Sequence, residues 1–120
     1  MPSDPLILAF DTSAAHCAAA LLSGDRLVTK TTEQMSKGQA ERLLPLLEEV
    51  LAEGAVAWSD LTHIAVGVGP GNFTGIRIGV STARGLALAL GIPAIGVSMF
   101  QALAYGSAPH CVTAVKGPAD

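Results

Sequence analysis

The stretch Ile64-Ala65-Val66-Gly67-Val68-Gly69-Pro70-Gly71-Asn72-Phe73-Thr74-Gly75-Ile76-Arg77-Ile78-Gly79 decides how this chain folds. Ile64 to Val68 is a continuous apolar run, the pattern of a strand buried on both faces. The residues from about Gly75 to Leu90 read as a helix, closed by Gly91 and Pro93. Between them lies a glycine-rich turn. Such a turn leaves backbone N–H groups free at a helix start, which suits anions, and it lets another backbone approach closely. Gly69, Gly71 and Thr74 are therefore candidate anion or nucleotide contacts. The alternative is a tight turn followed by a close-packed helix. No Gly-Lys-Ser/Thr closes the loop as in a Walker A motif, and Thr74 stands where a dinucleotide fingerprint needs glycine.

Upstream, Leu6 to Asp11, Cys17 to Leu22 and Arg26 to Thr32 read as strands, with Gly24-Asp25 as a hairpin turn between the last two. They predict an antiparallel meander with Asp11-Thr12-Ser13 at the end of its first strand. Ser36-x-x-Gln39 has the form of a capping box, so a helix is expected from there to about Glu53, with Gly54 as its stop. Leu43, Leu44, Leu47, Val50 and Leu51 recur at helical spacing. Pro45 kinks this helix, or the helix begins near Leu44 with Pro45 in its first turn. Trp58-Ser59-Asp60 reads as a turn before a strand over His63 to Val68. Ala94 to Val97 reads as a fifth strand. A short helix from Ser98 to about Tyr105 and a possible strand from Cys111 to Val115 follow. The order predicts an α/β fold: a mixed β-sheet with an antiparallel meander and helices packed on it.

The chain has 120 residues, half of them apolar and 4% aromatic, so one domain with an aliphatic core is expected. A net charge of −3 with seven Lys or Arg is no electrostatic footprint for nucleic acid. Any service to RNA would need another subunit to hold it. Cys17 and Cys111 form no C-x-x-C pair and read as buried free thiols in a reducing compartment. No apolar run is long enough for a membrane span, and the N-terminus lacks the basic region of a signal peptide. A cytoplasmic protein is expected. His16, His63 and His110 are scattered, with no spacing that suits a metal. No serine stands in a G-x-S-x-G elbow, and no base is identifiable beside one.

The second helix carries only Arg77 and Arg84 as charges and is apolar or small nearly all round. Surface helices ordinarily have one apolar stripe. Gly75, Gly79 and Ala83 recur at four-residue spacing, and each interior glycine costs roughly 1 kcal/mol relative to alanine, so a packing gain must offset it. Either the first helix covers the spare face, or both helices form a subunit interface. The second option assigns Leu43 and Leu47 on the first helix, and Gly75, Ile76, Gly79, Val80 and Ala83 on the second, to that interface, with a homodimer when no other partner is present.

Several segments together resemble one family, the TsaB (YeaZ) proteins, once labelled M22 glycoprotease-like. They are Ile7-Leu8-Ala9-Phe10-Asp11-Thr12-Ser13, Glu41-Arg42-Leu43-Leu44-Pro45, the stretch from Ala65 to Gly79, Gly91-Ile92-Pro93 and Gly96-Val97-Ser98. The resemblance spans roughly residues 6 to 106. It implies an actin/Hsp70-like (ribonuclease H-like) fold, one lobe of a two-lobed protein. Residues 1–106 would form the N-terminal lobe, and 107–120 a linker or the start of a C-terminal lobe.

For function, the resemblance implies a non-catalytic subunit in making N6-threonylcarbamoyladenosine at position 37 of tRNA. Its implied partners are the catalytic subunit TsaD and the ATPase TsaE, with tRNA reached only through the complex. ATP and metal would belong to those partners, leaving this subunit without a cofactor of its own. In nucleotide-binding relatives of the fold, an aspartate ending the first strand sits near metal and phosphates. Asp11, Thr12 and Ser13 could play that part, or Asp11 could cap the turn by accepting from nearby N–H groups. An ATP-binding or sugar-kinase-like enzyme of the same fold is the alternative function, and a peptidase finds no support in the residues. The chain departs from the family at Gln39, where histidine is usual, and after Val115, where an Asp-Ala-Arg segment is common.

Overall fold

Side-chain alternation along the strands sorts residues onto two faces of one sheet. The computed structural model describes residues 4–98. Five strands lie in the order β3-β2-β1-β4-β5, with β1 at Leu6–Asp11, β2 at His16–Ser23, β3 at Arg26–Gln34, β4 at His63–Gly67 and β5 at Ala94–Val97. The first three form the expected antiparallel meander, and β4 and β5 add parallel to β1. Parallel neighbours need long crossovers, which the two helices provide. The predicted fold class therefore holds. β3 runs on to Gln34, past the expected Thr32, because Glu33 and Gln34 still pair with Cys17 and His16.

Helices α1 (Gln39–Glu53) and α2 (Phe73–Leu90) both cover the face carrying Leu8, Phe10, Cys17, Ala19, Leu21, Ile64 and Val66. Leu43, Leu46, Leu47, Val50 and Leu51 of α1 and Ala83 of α2 complete this aliphatic core. Ile7, Ala20, Leu22 and Ala65 form a smaller cluster that points to the opposite face. A register shift between Leu21 and Leu22 lets β3 send Val28 to the first cluster and Leu27 to the second.

The start of α1 corrects the sequence expectation. Gly38, at φ 95, is the N-cap, and no side chain caps the helix. The box at Ser36 fails because Ser36 lies two residues before the N-cap and Gln39 is the first residue of the helix, its Nε2 donating to the Ala14 carbonyl at 3.4 Å. α1 then runs through Pro45 to Glu53, which excludes a start near Leu44, and Gly54 follows as expected. Pro45 and Glu41 are both exposed, so water can serve the carbonyl that lost its donor. Trp58–Asp60 forms one 3-10 turn, fastened by the Ala57 N–H donating to Asp60 Oδ2 at 2.9 Å.

α2 begins two residues before Gly75. Its N-cap is Asn72, whose side-chain oxygen accepts from the Gly75 N–H at 2.8 Å. Gly91 ends it in the left-handed conformation (φ 69), as read from the sequence. The expected helix from Ser98 to Tyr105, the strand from Cys111 to Val115 and the tail over 107–120 lie outside the described residues.

Candidate functional site: a clamped turn and the outer face of α2

The chain leaves β1 through Asp11-Thr12-Ser13 and meets the glycine-rich loop after β4. The Ser13 carbonyl accepts from the Asn72 N–H at 2.7 Å, and the Thr12 hydroxyl donates to the Gly75 carbonyl at 2.6 Å. Gly71 lies so close to the Ser13 carbonyl, and Gly75 to the Thr12 carbonyl, that a Cβ at either would overlap backbone. Gly69, at φ 94, is also buried, with the Ile76 side chain against it. The structure thus brings Asp11, Thr12, Ser13, Gly69 and Gly71 together, as the sequence suggested. Thr74 departs from them and lines the groove between the helices.

The contacts within this cluster differ from the expected ones. Among the described residues Asp11 accepts from no backbone N–H through its side chain. One carboxylate oxygen accepts from the Ser13 hydroxyl at 2.7 Å, and the other lies 2.8 Å from His16 Nε2. Thr12 and Ser13 are buried, and each has its hydroxyl satisfied within the chain. In the sequence His16 stands only as one of three scattered histidines with no role beside Asp11. Only the β1–β2 turn, five residues from Asp11, could have signalled it. In a nucleophile–base–orienter series the imidazole stands between hydroxyl and carboxylate. Here the carboxylate stands between hydroxyl and imidazole.

On the sheet face away from the helices, a concavity of about 370 Å³ has a floor that includes Ala9, Ala18, Ala20 and Ala65. Asp11, Ser13 and Lys30 also border it. Among the described residues, no group of three or more His, Cys, Asp or Glu could hold a metal ion. No described helix is long and apolar enough to cross a membrane.

The interface assigned from the sequence needs correction at most positions. Leu43 and Leu47 are enclosed in the core, and Gly75, Gly79 and Ala83 face the chain's own sheet. A Cβ on Gly79 would come within 3.0 Å of Thr12 Oγ1 and 3.1 Å of Val66 Cγ2. The glycine stripe therefore seats α2 on β1 and β4 rather than on another protein. Ile76 and Val80 are only partly buried.

The free face of α2 is a different set. Phe73 is 72% exposed and Leu88 86% exposed, and the Arg77 guanidinium lies 5.6 Å from the centre of the Phe73 ring. Phe73, Arg77, Arg84 and Leu88 fall on one side of the helix at spacings of four, seven and four residues. That spacing was visible in the sequence but was hidden among equally apolar neighbours. Leu44 of α1 is also exposed, at 47%. Between the helices, Ala40, Thr74, Arg77, Ile78, Ser81 and Thr82 line a groove of about 390 Å³. The arrangement leaves large apolar side chains of α2 in solvent and bonds the Thr12 and Ser13 hydroxyls within the chain.

Known proteins agree with this architecture. Residues 28–117 match the family described as TsaD: tRNA N6-adenosine threonylcarbamoyltransferase. The Escherichia coli protein named tRNA threonylcarbamoyladenosine biosynthesis protein TsaB is 39% identical over 101 residues, covering 84% of this chain and 43% of that protein. YeaZ from Pseudomonas aeruginosa superposes with a TM-score of 0.78 at 42% identity, covering 84% of this chain and 47% of that one. T. thermophilus RuvC, solved with a Holliday junction substrate, superposes at 0.59 with 13% identity over 94% of this chain and 78% of its own, a likeness of fold alone.

The class is thus an α/β lobe of the TsaD type. The chain belongs to that family, within its TsaB (YeaZ) group. It spans about half the length of the relatives it matches.

Proposed function

We propose that this chain belongs to a non-catalytic subunit that supports TsaD in forming N6-threonylcarbamoyladenosine on tRNA, and that the outer face of α2 docks on TsaD. The carrying observation is that face: Phe73 and Leu88 stand in solvent on a helix whose opposite side is seated by glycines. Exposed side chains of this size, backed by a rigid seat and joined by an arginine, have the composition of an interface centre. The names of the relatives and the match to the TsaD family support this reading. On this reading TsaE joins the same assembly, and tRNA is met only through the complex. ATP and metal belong to the partner subunits, two copies pair when TsaD is absent, and the protein works in the cytoplasm.

Asp11 motivated the ATP-binding alternative, and both its oxygens are engaged within the chain. Calorimetry with ATP and Mg²⁺ on the protein alone tests that alternative, and no binding is the expected result. The docking reading is tested by titrating TsaD with wild type, Phe73→Asp and Leu88→Asp. Both substitutions lie on exposed positions, so the fold is expected to survive them while binding weakens by roughly tenfold or more. Wild-type affinity in both variants would sink the proposal.

A further inference from the structure

We infer that Thr12 is a positioning residue for the docking face of α2, an inference that rests on the docking role proposed for Phe73 and Leu88. Thr12 is fully buried at the end of β1, and it touches two successive turns of the helix. Its hydroxyl donates to the Gly75 carbonyl at 2.6 Å, its own carbonyl packs against Gly75, and its Oγ1 fills the space beside Gly79. Ser13 adds a second anchor, its carbonyl accepting from the Asn72 N–H at 2.7 Å.

A helix packed through small side chains has no ridges to set its rotation, because ridges are made by side chains. The first turns of α2 present Gly75 and Gly79 to the sheet, and the large side chains Leu86 and Leu90 pack against the core further along. In these first turns directional hydrogen bonds must therefore do what ridges do elsewhere, and among the described residues Thr12 makes the one that enters the helix from another element. Rotation about this anchor would carry Phe73, Arg77 and Leu88 away from their present direction. A misplacement of about 1 Å is enough to loosen a site held by its supporting shell.

The experiment uses the whole protein with Thr12→Val, which keeps the branched shape and loses the hydroxyl, and Thr12→Ser, which keeps the hydroxyl. TsaD is titrated at a temperature where every variant is folded, and amide exchange is compared between α2 and α1. Thr12→Val is expected to weaken TsaD binding by roughly tenfold. It is also expected to raise exchange over residues 73–79 while α1 is unchanged. Thr12→Ser should restore both. Wild-type binding by folded Thr12→Val, in a preparation where Phe73→Asp does weaken binding, would make Thr12 a packing residue only. Lost binding in folded Thr12→Ser would equally overturn the inference, and this arm remains decisive if the valine variant does not fold. Wild-type binding by Phe73→Asp would instead defeat the docking role itself, and the inference with it.

Discussion

Gly67 on β4 lies flush against the Asp11 carboxylate at the end of β1, so close that a Cβ there would overlap Oδ1. The same oxygen accepts the Ser13 hydroxyl, while Oδ2 meets His16. A glycine on one parallel strand thus makes room for a carboxylate that fastens the turn leaving its neighbour. Gly67→Ala must displace that carboxylate and disturb both contacts. Overpacking of this kind costs about 1–3 kcal/mol, so the urea midpoint should fall with the slope of the transition unchanged.

Two glycines of α2 should respond in opposite directions. Gly75 has the Thr12 backbone against it, and Gly85 is exposed with nothing among the described residues within 4 Å of a new Cβ. Gly75→Ala should destabilise by about 1–3 kcal/mol, since backbone cannot move aside as a side chain can. Gly85→Ala should stabilise by about 0.5–1 kcal/mol, because alanine loses less freedom on entering a helix. Thermal melts of the two variants beside wild type check both signs.

Leu47 has no exposed surface and sits in the core between α1 and the sheet. Leu47→Ala should cost about 2–5 kcal/mol, through lost burial and the cavity left behind. Leu44, three residues earlier and half exposed, should cost far less when changed to alanine. Denaturant titration of the pair separates the inner face of α1 from its outer one.

Arg42 of α1 reaches both Glu33 on β3, at 2.6 and 2.8 Å, and Glu49 one helical stretch on, at 2.8 and 2.9 Å. Hydrogen bonds from Arg42 hold the Glu33 carboxyl below its ordinary range. A carboxyl depressed in the folded state adds stability above its unfolded value, and that stability is lost as pH falls through the lower folded value. Arg42→Gln should return the Glu33 titration toward the ordinary range, as followed by carboxyl NMR, and should flatten that part of the acid dependence.

Burial first, and the charge of Glu33 second, push the Cys17 thiol above its ordinary value. The folded chain therefore keeps its proton where the unfolded chain begins to release one. Stability should fall as pH rises past the ordinary thiol value. Alkylation should be slow at Cys17 in the native protein and fast in denaturant, as read by mass spectrometry of its peptide.

Much of the fold was readable along the chain because its determinants are local. The Gly24-Asp25 turn, the apolar runs of β1 and β4, and the stop at Gly91 each rest on a few adjacent residues. The cluster of Asp11, Thr12, Ser13 and the loop glycines was also foreseeable, since a strand end and a following strand-to-helix turn meet when β1 and β4 pair. What those residues do was not foreseeable. Whether Asp11 is open to a ligand depends on His16 and Gly67, which reach it only through folding.

Capping at Ser36 and the direction of α2 were decided by tertiary structure alone. The helix starts at Gln39 behind Gly38, and the Ala14 carbonyl that accepts from Gln39 Nε2 is brought to it only by folding. Along α2, small and apolar residues occur on every side, so periodicity gives no contrast between inner and outer faces. The carbonyl of Thr12 breaks that symmetry. It approaches so closely that a residue without a Cβ, Gly75, must face it, and this turns Phe73 and Leu88 to the surface. The sequence by itself determined which strands and helices form and in what order they follow. The fold alone determined which face of α2 is offered outward, because that choice rests on contact between residues more than sixty positions apart.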